Sequence, residues 1–339
     1  MKTNPFPTEM PVTRVSMILP YTRLLHSVGA PVDRLLNRAR ISPELLNHPS
    51  AVLPLVNAFR FCELACQTEG TEHLGFLVGL STTLGDYGPY GKILQNALTV
   101  YDYLQKGISL YNMMVTGQRL LLSEHGEEFR LTIESNVESG IGTYQSHLET
   151  LITTIERLRD AAGPDWSPTE ISLAHRAQEN IPDTDLLGGS RIIQGAGETF
   201  LTIPGAIMGE RFPDSGSIVD IDMAVSHERS LPEDLAGVVK YQVESLSSDS
   251  PVRIDTVAES LALNPRSLQH MLARKGQTYS RLYSEIRMKK AAEWLENTDK
   301  PIAEIASDLG YRDASNFTRA FKRQTGVSPR AYRNHSKYA

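Results

Sequence analysis

The chain has 339 residues, 40% of them hydrophobic and 22% charged. Those proportions exclude a disordered chain, and the length allows two domains. No run approaches the roughly 18 consecutive apolar residues of a membrane span, and the opening MKTNPFPTEMPVTR lacks the apolar centre of a secretory signal. Two cysteines give no disulfide framework, so a cytoplasmic protein is expected.

The net charge of −6 is unevenly placed. Residues 251–339 hold 16 Lys/Arg against 9 Asp/Glu, which leaves 18 basic and 31 acidic residues in the rest. A segment at +7 on a body at −13 suggests that the tail meets a polyanion.

In chain order, residues 14–28 and 31–39 read as short helices broken by Gly29 and Pro31. Apolar residues at helical spacing predict a helix over 54–69, and another over 92–114 interrupted near Gly107. The period then changes. RLLLSE (119–124) and EFRLTIES (128–135) read as a hairpin around His125-Gly126. Residues 143–160 predict a strong helix stopped by Gly163-Pro164, and 170–175 and 198–203 read as strands. Residues 1–225 are therefore expected to form one mixed α+β domain. From Pro232, taken as a first-turn residue, the pattern is almost wholly helical. The boundary is placed near 225–232, and 232–339 forms a second, all-α domain. SLSSDSP, within 245–251, reads as a loop.

That second domain contains an internal repeat. Ile254, Val257, Ala258, Leu261 and Leu263 have counterparts 48 positions later in Ile302, Ile305, Ala306, Leu309 and Tyr311. After the turn the offset becomes 49, matching Leu268 to Phe317 and Leu272 to Phe321. Each copy, 254–276 and 302–326, fits a helix-turn-helix. Ala258 and Ala306 permit close approach of the second helix, and Gly310 suits the turn. Asn264-Pro265 reads as a cap followed by proline at the first helical position, and Asp313 can cap the second copy. Gly276 and Gly326 end the helices. Leu268, Met271 and Leu272, and likewise Phe317, Ala320 and Phe321, form inward stripes. Between the copies, 278–297 predicts a helix with Leu282, Ile286, Ala291, Trp294 and Leu295 facing a core. At ~1.5 Å per residue it spans roughly 30 Å, close to the ~34 Å between successive major-groove openings on one face of B-DNA.

The run PIAEIASDLGYRDASNFTRAFKRQTGVSPRAYR (301–333) resembles the DNA-binding domain of the arabinose-regulator (AraC) family of bacterial transcription factors. NPRSLQHMLARKGQTYSRLYSEIR, and less sharply HLGFLVGLSTTLGDYGPYGKILQNALTVYDYL (73–104), resemble the subfamily with a helix-rich, arabinose-binding-type effector domain. The resemblance implies a regulator that binds double-stranded DNA, responds to a small organic effector and acts on RNA polymerase. It also implies that Arg266, Gln269 and His270 on the first recognition helix, and Ser315, Asn316 and Arg319 on the second, contact bases. Many relatives carry Arg where this chain has His270. Arginine can bond guanine bidentately, and Gln can do so with adenine. Arg274, Lys275, Lys322 and Arg323, near helix ends, are expected on phosphates. The competing reading of all ten is a solvated polar face.

Elsewhere the signals are weaker. Cys62 and Cys66, one helical turn apart, read as small hydrophobes or as a thiol pair. His26, His73, His147 and His175 lack ligand spacing, and neither metal nor cofactor is expected. Tyr87, Tyr90 and Lys92, beside Gly85, Gly88 and Gly91, line an effector pocket or simply form turns. Helix 143–160 offers Leu148, Ile152, Ile155 and Leu158 to a homodimer or to its own domain. No nucleophile elbow, P-loop, H-E-x-x-H or dinucleotide fingerprint occurs, and no enzyme activity is expected. Two alternatives remain: a regulator whose first domain binds only protein partners, and an enzyme fused to a DNA-binding module.

Overall fold

The computed structural model describes residues 9–336 except 71, 138–139, 178–180, 183, 214–229 and 248–250. The chain divides into two compact units, Met1–Asp234 and Leu235–Ala339. The 225 end of the expected boundary, and part of the loop within 245–251, fall outside the described residues.

In the first unit, β1 (Val12–Arg14) pairs antiparallel with β2 (Val52–Pro54). The helix expected over 14–28 begins later. Arg14 ends β1, a 3-10 turn covers Val15–Met17, and α1 is Leu19–Ser27 with Pro20 in its first turn, where a missing N–H costs nothing. α2 (Val32–Arg38), α3 (Leu55–Glu69) and α4 (Leu74–Ser81) follow. The single helix expected over 92–114 is two, α5 (Gly88–Gln95) and α6 (Val100–Leu110). The break is at 96–99 and not at Gly107, because Thr99 is extended and caps α6 by accepting from the Asp102 amide. The Asp102 carboxylate in turn accepts from the Leu98 amide at 2.8 Å. Gly107 lies inside α6.

The hairpin is as expected. β3 (Gln118–His125) pairs with β4 (Glu128–Ser135), and Gly126 turns with φ +67°. With β5 (Glu170–Leu173), β6 (Arg191–Gln194) and β7 (Thr199–Pro204) they form a sheet of order β3-β4-β7-β5-β6, in which only β5 and β6 run parallel. β6 has no counterpart among the expected strands. It is a half-exposed edge strand of four residues.

α7 (Ile141–Ala162) organises this unit. It packs on α3 and α4 on one side and on β5 and β7 on the other. Leu148, Ile152, Ile155 and Leu158 are all buried by the unit itself, which removes them as a dimer face. The contact with α4 needs Gly75, where an added Cβ would lie 2.1 Å from the Gln145 carbonyl oxygen. Polar α7 residues are buried with partners. Gln145 donates to the Glu72 carbonyl and accepts from the Gly75 amide, both at 2.6 Å. His147 lies between the Gln118 amide (2.9 Å) and the Thr199 hydroxyl (3.2 Å).

The second unit is helical throughout its described residues: α8 (Leu235–Leu246), α9 (Ile254–Ser260), α10 (Pro265–Arg274), α11 (Tyr279–Asn297), α12 (Ile302–Asp308), α13 (Ala314–Thr325) and α14 (Pro329–Ser336). Pro232 precedes α8 and is not in its first turn. α8 lies along α11, tied by Lys240–Glu285 at 2.7 Å and Lys289–Glu244 at 3.7 Å.

Candidate nucleic-acid interface and ligand cavity

The two helix-turn-helix copies, α9–α10 and α12–α13, flank the rod α11. Each second helix is capped by the expected side chain. Asn264 accepts from the Ser267 amide at 2.8 Å, and Asp313 from the Asn316 amide at 2.7 Å. Gly276 and Gly326 follow the helices with φ of +68° and +83°. In the turns, Gly310 has φ +72°, and its mate in the first copy, by the offset of 48, is Ala262 with φ +54°. A residue with a Cβ therefore holds a left-handed conformation there, at a cost of about 1 kcal/mol.

Leu268, Leu272, Phe317 and Phe321 are buried, while Met271 and Ala320 are half-buried at the edges of the stripes. The second copy has an aromatic core. Phe317 and Phe321 stand 5.7 Å apart, Tyr332 meets Phe321 edge-on at 5.4 Å, and both phenylalanines pack with Met288, Ala291 and Leu295 of α11. Trp294 lies at the rim of that core, under the Lys290 and Lys300 ammoniums at 5.0 and 4.8 Å. Arg287 joins rod to turn. It donates to the Leu309 carbonyl at 3.2 Å and lies 4.3 Å from the Tyr311 ring centroid.

Opposite these stripes, Arg266, Gln269, His270, Arg274 and Lys275 are exposed on or just past α10, and Ser315, Arg319, Lys322 and Arg323 on α13. Asn316 is half-buried and committed locally. Its amide donates to Asp313 at 2.7 Å, and its oxygen accepts from the Arg319 guanidinium at 2.6 Å. The geometry makes Asn316 a holder of Arg319. By the offset of 49, Arg266 answers to Ser315 and His270 to Arg319. The guanidinium thus stands in the first turn of α10 but one turn further along α13. These faces present fork-shaped donors and ammoniums, which suit base edges and phosphates.

The first unit contains a cavity of about 50 Å³ between α5, α6, α7 and the β3-β4 hairpin. Tyr87 and Tyr90 are on its wall, together with Tyr103, Tyr111 and three α7 threonines, Thr150, Thr153 and Thr154. Lys92 is exposed and outside the lining, because two helical residues beyond Tyr90 the side chain points to the opposite face. The space would hold a few waters, so a larger guest must widen it.

Beside this cavity is Glu149, a residue sequence reasoning missed. It is buried, accepts from the Tyr87 hydroxyl, and lines a smaller neighbouring cavity with Tyr21 and Cys62. Burial pushes its carboxyl up to about 7, against hydrogen bonds from Tyr87 and Thr150 that lower it. Burial also lowers His147 to about 4, so that imidazole is neutral. The thiols respond the other way. Burial raises Cys62, and it raises Cys66 to about 12, which makes both poor nucleophiles. Among the described residues no group of three or more His, Cys, Asp or Glu is placed to hold a metal, and no helix is long and apolar enough to cross a membrane.

Two family models match separate stretches of the chain. Residues 257–335 match the model of a helix-turn-helix domain, and residues 29–212, more than half of the chain, match that of the N-terminal arabinose-binding domain of AraC transcription regulators. The ornithine utilization regulator of Pseudomonas aeruginosa is 23% identical over 91% of this chain and 93% of its own length. The regulator VirS of Mycobacterium tuberculosis is 24% identical over 94% and 96%. A crystal structure of the transcriptional regulator CdpR from Pseudomonas aeruginosa aligns at 22% identity over 90% of this chain and 96% of that one, with a TM-score of 0.40. With an arabinose-binding-type first domain and a helix-turn-helix second domain, the chain belongs to the AraC family of DNA-binding transcription regulators.

Proposed function

We propose that α10 and α13 enter successive major-groove openings and that Arg266, Gln269, His270, Ser315 and Arg319 read bases, with Asn316 setting the angle of Arg319. Arg274, Lys275, Lys322 and Arg323 meet phosphates and set affinity without sequence preference. One observation carries this reading. Both second helices bury their apolar stripes, that of α13 against the rod α11, and leave their basic faces to solvent. α11 has 19 residues, or about 28 Å at ~1.5 Å each, which suits two grooves on one face of the duplex.

The first unit takes a small organic effector in the Tyr87–Tyr90 cavity. Its binding alters promoter occupancy and, through it, RNA polymerase. The protein works in the cytoplasm, as a homodimer where its promoter is palindromic, and catalyses no reaction. The cavity favours this over a first domain that binds only protein partners. The buried cysteines, both raised by burial, speak against a cysteine-dependent enzyme fused to the DNA-binding module. Selection of genomic fragments on the full chain, followed by footprinting with and without metabolites that raise its melting temperature, tests both halves. Binding without sequence preference would overturn the first half. Ligands that bind yet leave footprint and transcription unchanged would overturn the second.

A further inference from the structure

Four of the hydroxyl hydrogens around the cavity are already committed. Thr150 donates to the Ser146 carbonyl at 3.0 Å, Thr154 to that of Thr150 at 2.8 Å, and Tyr90 to that of Gly107 at 3.2 Å. Tyr87 donates to Glu149. Carbonyls only accept, so the protons cannot turn inward without breaking these bonds. The wall therefore offers lone pairs and four tyrosine rings. No lysine, arginine or histidine is among its residues. Arg157, which lies nearest in charge to Tyr103, is turned onto the Phe212 ring at 3.9 Å and bonded to Asp160. Such a wall, with no cation in it and a buried carboxyl beside it, rejects an anion and attracts a positively charged donor.

We propose that this cavity selects a protonated primary amine on a short hydrocarbon chain. The ammonium lies among Thr150, Tyr87 and Glu149, and the hydrocarbon against Leu94, Leu104 and Leu120. The proposal rests on the cavity being the effector site and adds its chemical class. The groups facing Glu149 support it. Tyr87 and Asp86 precede α5, Tyr21 comes from α1, Cys62 from α3, Tyr103 from α6, and Tyr111 follows it. Thr150 and Thr153 are on its own helix. None of these is a cation. An amine entering beside a protonated Glu149 forms an ammonium–carboxylate pair and releases that proton to solvent. Affinity then rises with pH through the range in which Glu149 is still partly protonated.

The test compares n-butylammonium, 1-butanol and butyrate, matched in length, on the full chain by calorimetry and thermal shift. The amine is expected to bind about tenfold tighter than the alcohol, with butyrate not binding. Two buffers of different ionisation enthalpy should report proton release near neutral pH. Glu149→Gln should level amine and alcohol and abolish the release. Thr150→Val, which keeps shape and removes one acceptor, should weaken the amine alone. Leu104→Trp, which fills the cavity, should stop both. Alcohol or butyrate binding as well as the amine, blocked by Leu104→Trp, overturns the amine class and leaves the cavity as effector site. Amine binding that Leu104→Trp, folded by its melting curve, leaves intact overturns both. Failure of all three probes overturns the amine class, and the metabolite screen above then decides the cavity alone.

Discussion

The two units bury opposite kinds of residue. Among the described residues, the first encloses Arg14, Glu149, Arg157, His73 and His147, each under a tenth exposed. The second encloses no charged side chain, and its Lys and Arg side chains stand at or near the surface. Ionisation of a buried group or filling of a cavity alters the stability of a unit that keeps such groups inside. A unit that keeps charge outside is built to present a fixed surface. On the function proposed above the contrast is between receiver and reader, and it can be broken by mutation.

The largest expected effect tests the hydrocarbon core. Phe317→Ala should cost about 3–5 kcal/mol in chemical denaturation and abolish DNA binding, because the removed ring leaves a cavity among Phe321, Ala291 and Leu295. A loss below 1 kcal/mol would mean that the second copy is not held by that core. Next comes the charged interior. The Glu149 carboxyl is raised from 4.5 to about 7, so its contribution is full below pH 4.5 and fades as pH climbs to 7, a change of about 3 kcal/mol. His147 has the opposite sign. Lowered from 6.5 to about 4, it favours the fold above pH 6.5 and loses that contribution as pH falls. The two trends oppose each other in the wild type. Glu149→Gln should stabilise the first unit above pH 7 and uncover a rise in stability between about pH 4 and 6.5 from His147. An unchanged pH profile would place Glu149 in water.

Smaller effects belong to the reading surface. Arg266→Ala should cost about 1–3 kcal/mol of specific binding, relax preference at one base pair and leave the melting temperature in place. An equal loss on every sequence would give Arg266 a phosphate role. Lys322→Ala should lower affinity on all sequences and reduce the salt slope by about one. The smallest effect concerns Ala262. Its replacement by glycine relieves a left-handed alanine and should stabilise the second unit by up to about 1 kcal/mol, whereas Gly310→Ala should destabilise it, with the new Cβ 3.1 Å from Pro251. Equal responses at the two sites would show that the turns differ in more than this residue.

The reader was more legible in sequence than the receiver, for a physical reason. Helix caps, left-handed glycines and a repeated stripe are local, so Asn264, Asp313, Gly310 and the Leu268/Phe317 correspondence could be read from spacing. Glu149 could not. A glutamate between Leu148 and Thr150 looks like the wet side of an amphipathic helix, and only the placement of α7 between sheet and helices leaves it no wet side. The same holds for β6, whose four residues are a strand only because β5 lies alongside. Asn316 was legible as polar and helical, but its service to Arg319 depends on a rotamer. Lys92 was judged by proximity to Tyr90, and helical phase sent it outward.

Because α11 joins the two helix-turn-helix copies, its length is a phase setting. One residue inserted after Lys290 would turn the second copy about 100° around the helix axis and advance it ~1.5 Å, enough to change the direction of Arg319 relative to Arg266. On the two-groove reading proposed above, drift in the number of residues between Thr278 and Thr298 is closed to this protein even where folding would tolerate it, and the same count fixes the spacing of its target sequence.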